Sequence, residues 1–320
     1  MVAESQAWST PVPLASRMDS DRGAHWSPVL AGPPIVSERL LLFYTESSRL
    51  ECIRPAEGKH PELWSPGGTI KMVEALGHGT GGWSEPRVVL SEVDSEGVMI
   101  PKVIANPPVR NTAGALVLPF WREKSTLPEA CQAAAAEEYA GVLISEDEGG
   151  TWTPHGRLSL PGSHLIEGTI ALGPYPGHLL MLFRTGKGWA YKSVSNDDGR
   201  TWSAPQPTPV KNPDTKMHMM GILAPRRPLG GILLAANDHR SFAEAGCRKC
   251  RTRLMIAHSL DSEGKAWRRL APLELPRKPL DYLKNHYPTM LQVCLLHHAC
   301  ALQIRLLAYS WWQGMRLSSA

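Results

Sequence analysis

Ser145-Glu-Asp147-Glu-Gly149-Gly-Thr151-Trp152 and Ser195-Asn-Asp197-Asp-Gly199-Arg-Thr201-Trp202 are two ungapped copies of one octapeptide, Ser-x-Asp-x-Gly-x-Thr-Trp. A third copy, Ser259-Leu-Asp261-Ser-Glu-Gly264-Lys-Ala-Trp267, carries one extra residue and has Ala266 in place of Thr. Repetition of this kind marks an array of supersecondary units, each too small to bury its own apolar face. The local chemistry reads as a turn. Ser and Asp side chains accept hydrogen bonds from turn amides. Gly takes a positive φ at no steric cost. Thr begins a return strand, and Trp supplies an apolar plate for a neighbouring sheet. Asp147, Asp197 and Asp261 are therefore assigned to backbone geometry and not to catalysis.

The context upstream of each copy repeats as well. A strand-like segment leads into it: Ala140–Ile144, Trp189–Val194 and Arg253–His258. A second lies before that, at Ala115–Phe120, His178–Arg184 and Ile232–Asn237. A third lies earlier still, at Lys102–Asn106, Glu167–Leu172 and Met219–Ala224. One unit is thus strand, turn, strand, loop, strand, octapeptide turn, strand, which makes a four-stranded antiparallel blade. Weaker copies extend the series. Arg39–Thr45, Thr69–Glu74 and Trp83-Ser-Glu-Pro86 follow the pattern with a Gly-rich turn, Gly77 to Gly82, instead of the octapeptide. Trp26-Ser-Pro28 reads as the last strand of a blade that starts elsewhere, and Tyr287–Gln292 with Ala308–Trp311 as the opening strands of a final one. Tryptophans 26, 83, 152, 202, 267 and 311 then count six blades. The expected fold is all-β: a six-bladed β-propeller of four-stranded antiparallel blades over residues 25–320, closed by an N-terminal strand, behind a flexible tail at 1–24. A closed ring leaves few free edges, so a monomer is expected.

The bulk numbers set the outer limits. The chain has 320 residues, 42% of them hydrophobic, enough for a packed core. With 34 basic and 30 acidic residues the net charge is +4 and dispersed, which argues against a nucleic-acid partner. No apolar run reaches the roughly 20 residues of a membrane span. The first residues lack the apolar core of a secretory signal, so a soluble cytoplasmic protein with reduced thiols is the default expectation for the six cysteines. Cys247-x-x-Cys250 is half of a zinc pattern without a matching pair; neither a metal nor a cofactor is expected.

Ligands of propellers bind at one end of the central channel, where the innermost strands and the connecting loops converge. Those positions here hold Asn106, Glu167, His218, Asn237 and Tyr287, with Arg184, Arg251 and Arg253 nearby. Glu167 reads equally as a salt-bridge partner of a buried arginine.

The octapeptides are Asp boxes, and between residues 26 and 317 the chain resembles the Asp-box sialidase superfamily, in particular its predicted-neuraminidase branch. The likeness is carried further by Glu167-Gly-Thr-Ile-Ala-Leu-Gly, by Leu-Leu-Met-Leu-Phe-Arg184 leading to the box at Ser195, by Arg251-Thr-Arg253-Leu-Met-Ile-Ala-His-Ser259, and by His286-Tyr287-Pro288-Thr. The resemblance implies a glycoside hydrolase acting on a glycan. Tyr287 would be its nucleophile and Glu167 the base partner. Arg184 and Arg253, Arg253 rather than Arg251, would clamp the substrate carboxylate, with Asn106, His218 and Asn237 as further substrate contacts. Two family elements are missing. Gly32-Pro-Pro-Ile-Val36 lacks the first carboxylate-binding Arg, for which Arg39 and Arg49 are nearby substitutes. The loop Gly58-Lys-His60-Pro-Glu62 lacks the acid/base Asp, with His60 or Glu62 as stand-ins. The segment VCLLHHACALQIRLL at 293–307 has neither the Gly nor the Asp of a blade turn. A related exo-glycosidase for another acidic sugar fits these departures, and so does a non-catalytic propeller that binds a glycan or a protein.

Overall fold

The structure, a computed structural model, describes residues 25–33, 35–36, 39–47, 67–76, 82–95, 100–122, 137–222, 231–241, 251–259, 261, 263–273 and 287–290. Among the described residues, seventeen strands form four antiparallel sheets. The first contains β1 (His25–Ala31), β2 (Leu41–Glu46), β3 (Thr69–Glu74) and β4 (Arg87–Leu90). The second contains β5 (Lys102–Val103), β6 (Val109–Arg110), β7 (Leu116–Arg122), β8 (Tyr139–Ser145) and β9 (Thr153–Leu158). Both β5 and β6 pair with β7, so they are one inner strand interrupted around Asn106. The third contains β10 (Ile166–Leu172), β11 (Leu179–Arg184), β12 (Trp189–Ser195) and β13 (Gln206–Lys211). The fourth contains β14 (His218–Gly221), β15 (Ile232–Asn237), β16 (Leu254–Ser259) and β17 (Arg268–Pro272). Each sheet pairs in simple sequence order, and β10 lies beside β14, as the inner strands of successive blades do. The fold is all-β, a β-propeller of four-stranded antiparallel blades.

The described residues show four blades, not six. Counting tryptophans overcounts, because Trp26 lies on β1 and Trp83 in the bridge Ala75↔Trp83 of the same sheet. His25–Ala31 is accordingly the opening strand of the first blade and not the closing strand of another; it pairs with Leu41–Glu46. Tyr287–Met290 is described but carries no strand, with Met290 packed on the fourth blade. The tail 1–24, the segments 293–307 and 308–311, His60, Glu62, Arg49 and all six cysteines lie outside the described residues.

Alternation along each middle strand joins the blades. On β7, Leu116, Leu118 and Phe120 face the first blade, while Val117 and Trp121 face the third. On β11, Leu179, Met181 and Phe183 face the second blade, and Leu180 and Leu182 the fourth. A period of two therefore gives every interior sheet two buried faces. Each Trp of a box packs backward onto the preceding blade. The Trp152 ring meets Phe43 of the first blade edge-on, with centroids 5.7 Å apart.

The boxes fold as the sequence implies. In the second one, Ser195 Oγ donates to Asp197 Oδ1 at 2.8 Å and accepts from the Gly199 amide at 2.9 Å. Asp197 also takes the Thr201 amide at 2.8 Å and hydroxyl at 2.6 Å, and Trp202 Nε1 donates to Gly199 O at 2.8 Å. Gly199 has φ +96°, and its Cα sits against Leu179, Val117 and Ile144, so a side chain there meets both strain and the preceding blade. The first box repeats these bonds. Hydrogen bonds from the Thr151 amide and hydroxyl and from Ser145 hold the Asp147 carboxyl down to about 2. A carboxyl depressed by folding stabilises the fold above its unfolded value, near 3.9, and that stability is lost as pH falls through the folded value. Acid titration monitored by near-ultraviolet circular dichroism is expected to show a transition between about pH 4 and pH 2. Asp197→Ala is expected to remove the same tie permanently, lowering Tm by several degrees at pH 7 and steepening acid unfolding no further.

Candidate functional site

The boxes and the polar inner-strand residues occupy opposite ends of the blades. Ser195 pairs with Leu179 at one end of β11, and Arg184 pairs with Ile166 at the other. Six residues of strand separate the two by roughly 17 Å. The box aspartates are therefore remote from the residues described below.

Glu167 sits on a β-bulge at the start of β10. Between Ile166↔Arg184 and Thr169↔Leu182 the inner strand has one residue more than its partner. Glu167 takes φ +52° there, and the bulge turns its carboxylate inward from a strand whose neighbours are apolar. Asn106, from the break in the preceding inner strand, pins the bulge. Its Nδ2 donates to Glu167 O and to Gly168 O, both at 3.0 Å. Among the described residues, five of the seven non-glycine residues with positive φ, Ser27, Glu167, Asp214, Arg253 and Tyr287, lie at this end of the blades. Such backbone persists only where the surroundings over-determine it.

Tyr287 Oη donates to Glu167 Oε1 at 2.9 Å, and Arg184 Nη1 donates to the same oxygen at 3.0 Å. Glu167 Oε2 is buried and has no hydrogen-bond partner among the described residues. Arg184 Nε donates to Asp214 Oδ1 at 2.7 Å, and that oxygen also meets His164 Nε2 at 2.9 Å. The result is a continuous row, Tyr287–Glu167–Arg184–Asp214–His164, in which Arg184 and Glu167 are the most enclosed. Burial pushes the Tyr287 hydroxyl up to about 12, and the Glu167 charge pushes the same way against Arg184 and Arg251. Tyr287 is therefore neutral at ordinary pH and holds its proton beside a carboxylate. Burial opposes the charge of Arg184, but Glu167 and Asp214 outweigh it and keep the guanidinium protonated. Burial likewise opposes the Asp214 carboxylate, which His164 and Arg184 hold well below its usual range.

The remaining expected site residues occupy supporting places. His218 Nδ1 accepts the Met290 amide at 2.9 Å, and burial holds its imidazole neutral down to about 3. Asn237 is fully buried, and its Nδ2 donates to Thr252 O at 2.9 Å, tying the end of β15 to the residues just ahead of β16. Arg251, in that turn, stands over the Tyr287 ring with its guanidinium carbon 5.9 Å from the centroid. Arg253 is exposed, and its carbonyl accepts the Asp238 amide at 2.9 Å. Arg39 lies at the box end: it forks onto Glu74 at 2.5 and 2.6 Å and donates to Glu148 O at 2.7 Å.

Sequence reasoning missed Asp214, His164 and Lys216. Asp214 lies in a turn closed by two Asn212–Thr215 bonds, a sequence with no strand period to mark it. It also missed Arg122, which ends β7 as Arg184 ends β11. The rhyme of Leu-Pro-Phe-Trp-Arg122 with Leu-Met-Leu-Phe-Arg184 was the available signal. Arg122 stacks over Tyr139 at 4.7 Å, and its Nε is buried without a hydrogen-bond partner. Among the described residues no group of three or more His, Cys, Asp or Glu is placed to hold a metal ion, and no helix is long and apolar enough to cross a membrane.

Comparison with known proteins agrees with this architecture. Among solved structures, a Hadza microbial sialidase, Hz136, superposes with TM-score 0.57 at 19% identity, over 77% of this chain and 45% of its own. A mutant of Trypanosoma rangeli sialidase displaying trans-sialidase activity gives 0.56 at 16% identity, over 85% and 41%. The intramolecular trans-sialidase from Ruminococcus gnavus, in complex with oseltamivir carboxylate, gives 0.52 at 17%, over 78% and 70%. The chain thus spans less than half of the first two structures, and at these identities the likeness is one of fold. No curated protein matches the chain. The profile of the BNR repeat-like domain matches residues 1–295, and the chain belongs to that family, within the sialidase-like superfamily.

Proposed function

We propose that this protein is an exo-glycosidase of sialidase-like mechanism that hydrolyses a terminal acidic sugar from a glycan. The observation that carries the reading is the shared oxygen of Glu167, which accepts both the Tyr287 hydroxyl and Arg184. In this reading Tyr287 Oη attacks the anomeric carbon as its proton passes to Glu167, and the glycosidic bond to the leaving oxygen breaks. A neutral nucleophile avoids repulsion by the sugar carboxylate. Water then attacks the anomeric carbon and displaces Tyr287, which recovers its proton from Glu167, while the proton released by the water passes through solvent to the departed oxygen. Arg184 Nη2 makes no hydrogen bond with a described residue and is the donor left for the sugar's carboxylate. Arg253 and the turn carrying Arg251 complete the cationic wall, and Asn106, His218 and Asn237 hold its parts in place.

The test is a panel of aryl glycosides bearing sialic acid, uronic acids and neutral deoxy sugars. Aryloxide leaves without a proton, so the panel interrogates Tyr287 and Glu167 independently of any acid. Turnover of an acidic sugar, lost in Tyr287→Phe and Glu167→Gln, supports the reading; a folded protein that cleaves none of the panel sinks it. One observation favours a second reading, a glycan-binding propeller without catalysis: two of the three Arg184 nitrogens are held by the protein's own carboxylates. Glycan-array binding undiminished by Glu167→Gln, together with absent turnover, would select it.

A further inference from the structure

We propose that Lys216 and His218 are positioning residues that seat Tyr287 by clamping the far side of its segment. The inference rests on the reading of Tyr287 as nucleophile. The 287–290 segment has no ladder of its own, although Tyr287 holds φ +61° immediately before Pro288, a setting that disfavours most backbone conformations. Something else must fix it. Lys216 and His218 are two residues apart, which puts both side chains on one side of the chain entering β14. Lys216 Nζ donates to Pro288 O at 2.9 Å, and His218 Nδ1 accepts the Met290 amide at 2.9 Å. The two bonds grip a carbonyl and an amide two residues apart, one donor and one acceptor, so they fix the direction of the segment as well as its place. The Met290 side chain closes the contact against Leu233, Ala235 and Ile256.

Lys216 is buried, and burial lowers its ammonium to about 8 while Glu167 supports the charge. A buried ammonium is an expensive way to meet one carbonyl. It is explained by its surroundings: the same cation faces the carboxylate that receives the Tyr287 proton. Glu167 on β10 and His218 on β14 are the titratable groups that feel its charge.

Two variants separate the clamp from general stability. Lys216→Met keeps the length of the side chain and removes the donor; His218→Leu removes the acceptor. Hydrogen exchange of the full-length protein, followed by mass spectrometry, is expected to show the 287–290 peptide exchanging about tenfold faster or more in each variant, with β8 and β11 peptides unchanged. With the aryl glycoside that the wild type cleaves, kcat is expected to fall about 100-fold while KM stays within about threefold. Lys216→Arg, which keeps donor and charge, is expected to restore protection. Unchanged exchange in both variants would overturn the clamp, as would faster exchange spread evenly over the fourth blade. If the wild type cleaves no glycoside, the enzymatic reading fails, and the exchange data alone still decide whether these residues seat the segment.

Discussion

Tyr287→Phe is expected to reduce turnover of any glycoside the protein cleaves by roughly 10⁴-fold or more, with little change in Tm. The size follows from the role, since removing a covalent nucleophile leaves the surrounding charges to act through binding alone. The small stability effect follows from geometry. The phenol donates to a carboxylate oxygen that keeps its bond to Arg184, so the variant does not strand that charge. Glu167→Gln is expected to cost about 10²–10⁴-fold, because Tyr287, raised to about 12, then has no base to receive its proton. The measurements are kcat and KM by aryl release, with circular dichroism for the fold. A Tyr287→Phe protein that keeps more than a tenth of wild-type turnover would remove Tyr287 from the mechanism.

Arg184→Ala carries the largest stability effect. It removes the cation between Glu167 and Asp214, and the first of these is buried with one oxygen already unpaired. Breaking a buried pair by removing one member costs about 3–5 kcal/mol. Asp214 is partly exposed and water will serve it, so the lower end of that range is expected, a fall in Tm of roughly 10 °C. Glu167→Gln in the Arg184→Ala background should recover part of the loss, because the uncompensated carboxylate is then gone. Thermal unfolding of the two single variants and the double variant measures this coupling. Additive effects would show that Glu167 and Arg184 do not depend on one another.

How much of this was legible in the sequence differs between fold and site. The boxes were readable because their hydrogen bonds span two to four residues, and a local bond leaves a local pattern. Strand positions followed because burial of both faces on β7, β11 and β15 forces short continuous apolar runs into the sequence. The blade count was not legible from tryptophans, since Trp26 and Trp83 serve one sheet at two places. Glu167, Arg184 and Tyr287 were found as residue types at recurring places, and the structure brings these three into contact. Asn106, His218 and Asn237 were marked by polarity at buried strand ends, but polarity does not distinguish a residue that touches a ligand from one that holds a neighbouring backbone. Arg251 and Arg253 share a parity, so alternation could not rank them; the left-handed turn at Arg253 sets their different directions. Asp214 and Lys216 depend on partners that are distant in sequence, 30 and 72 residues away, and no local pattern records that.

The bulge at Glu167 has a genetic consequence. One additional residue between Ile166 and Thr169 is what turns the carboxylate toward Tyr287. Loss of the single codon for Gly168 is expected to remove the bulge and to turn Glu167 away from Tyr287 and Arg184. In the proposed reaction, that in-frame deletion takes the base away from Tyr287 in one step.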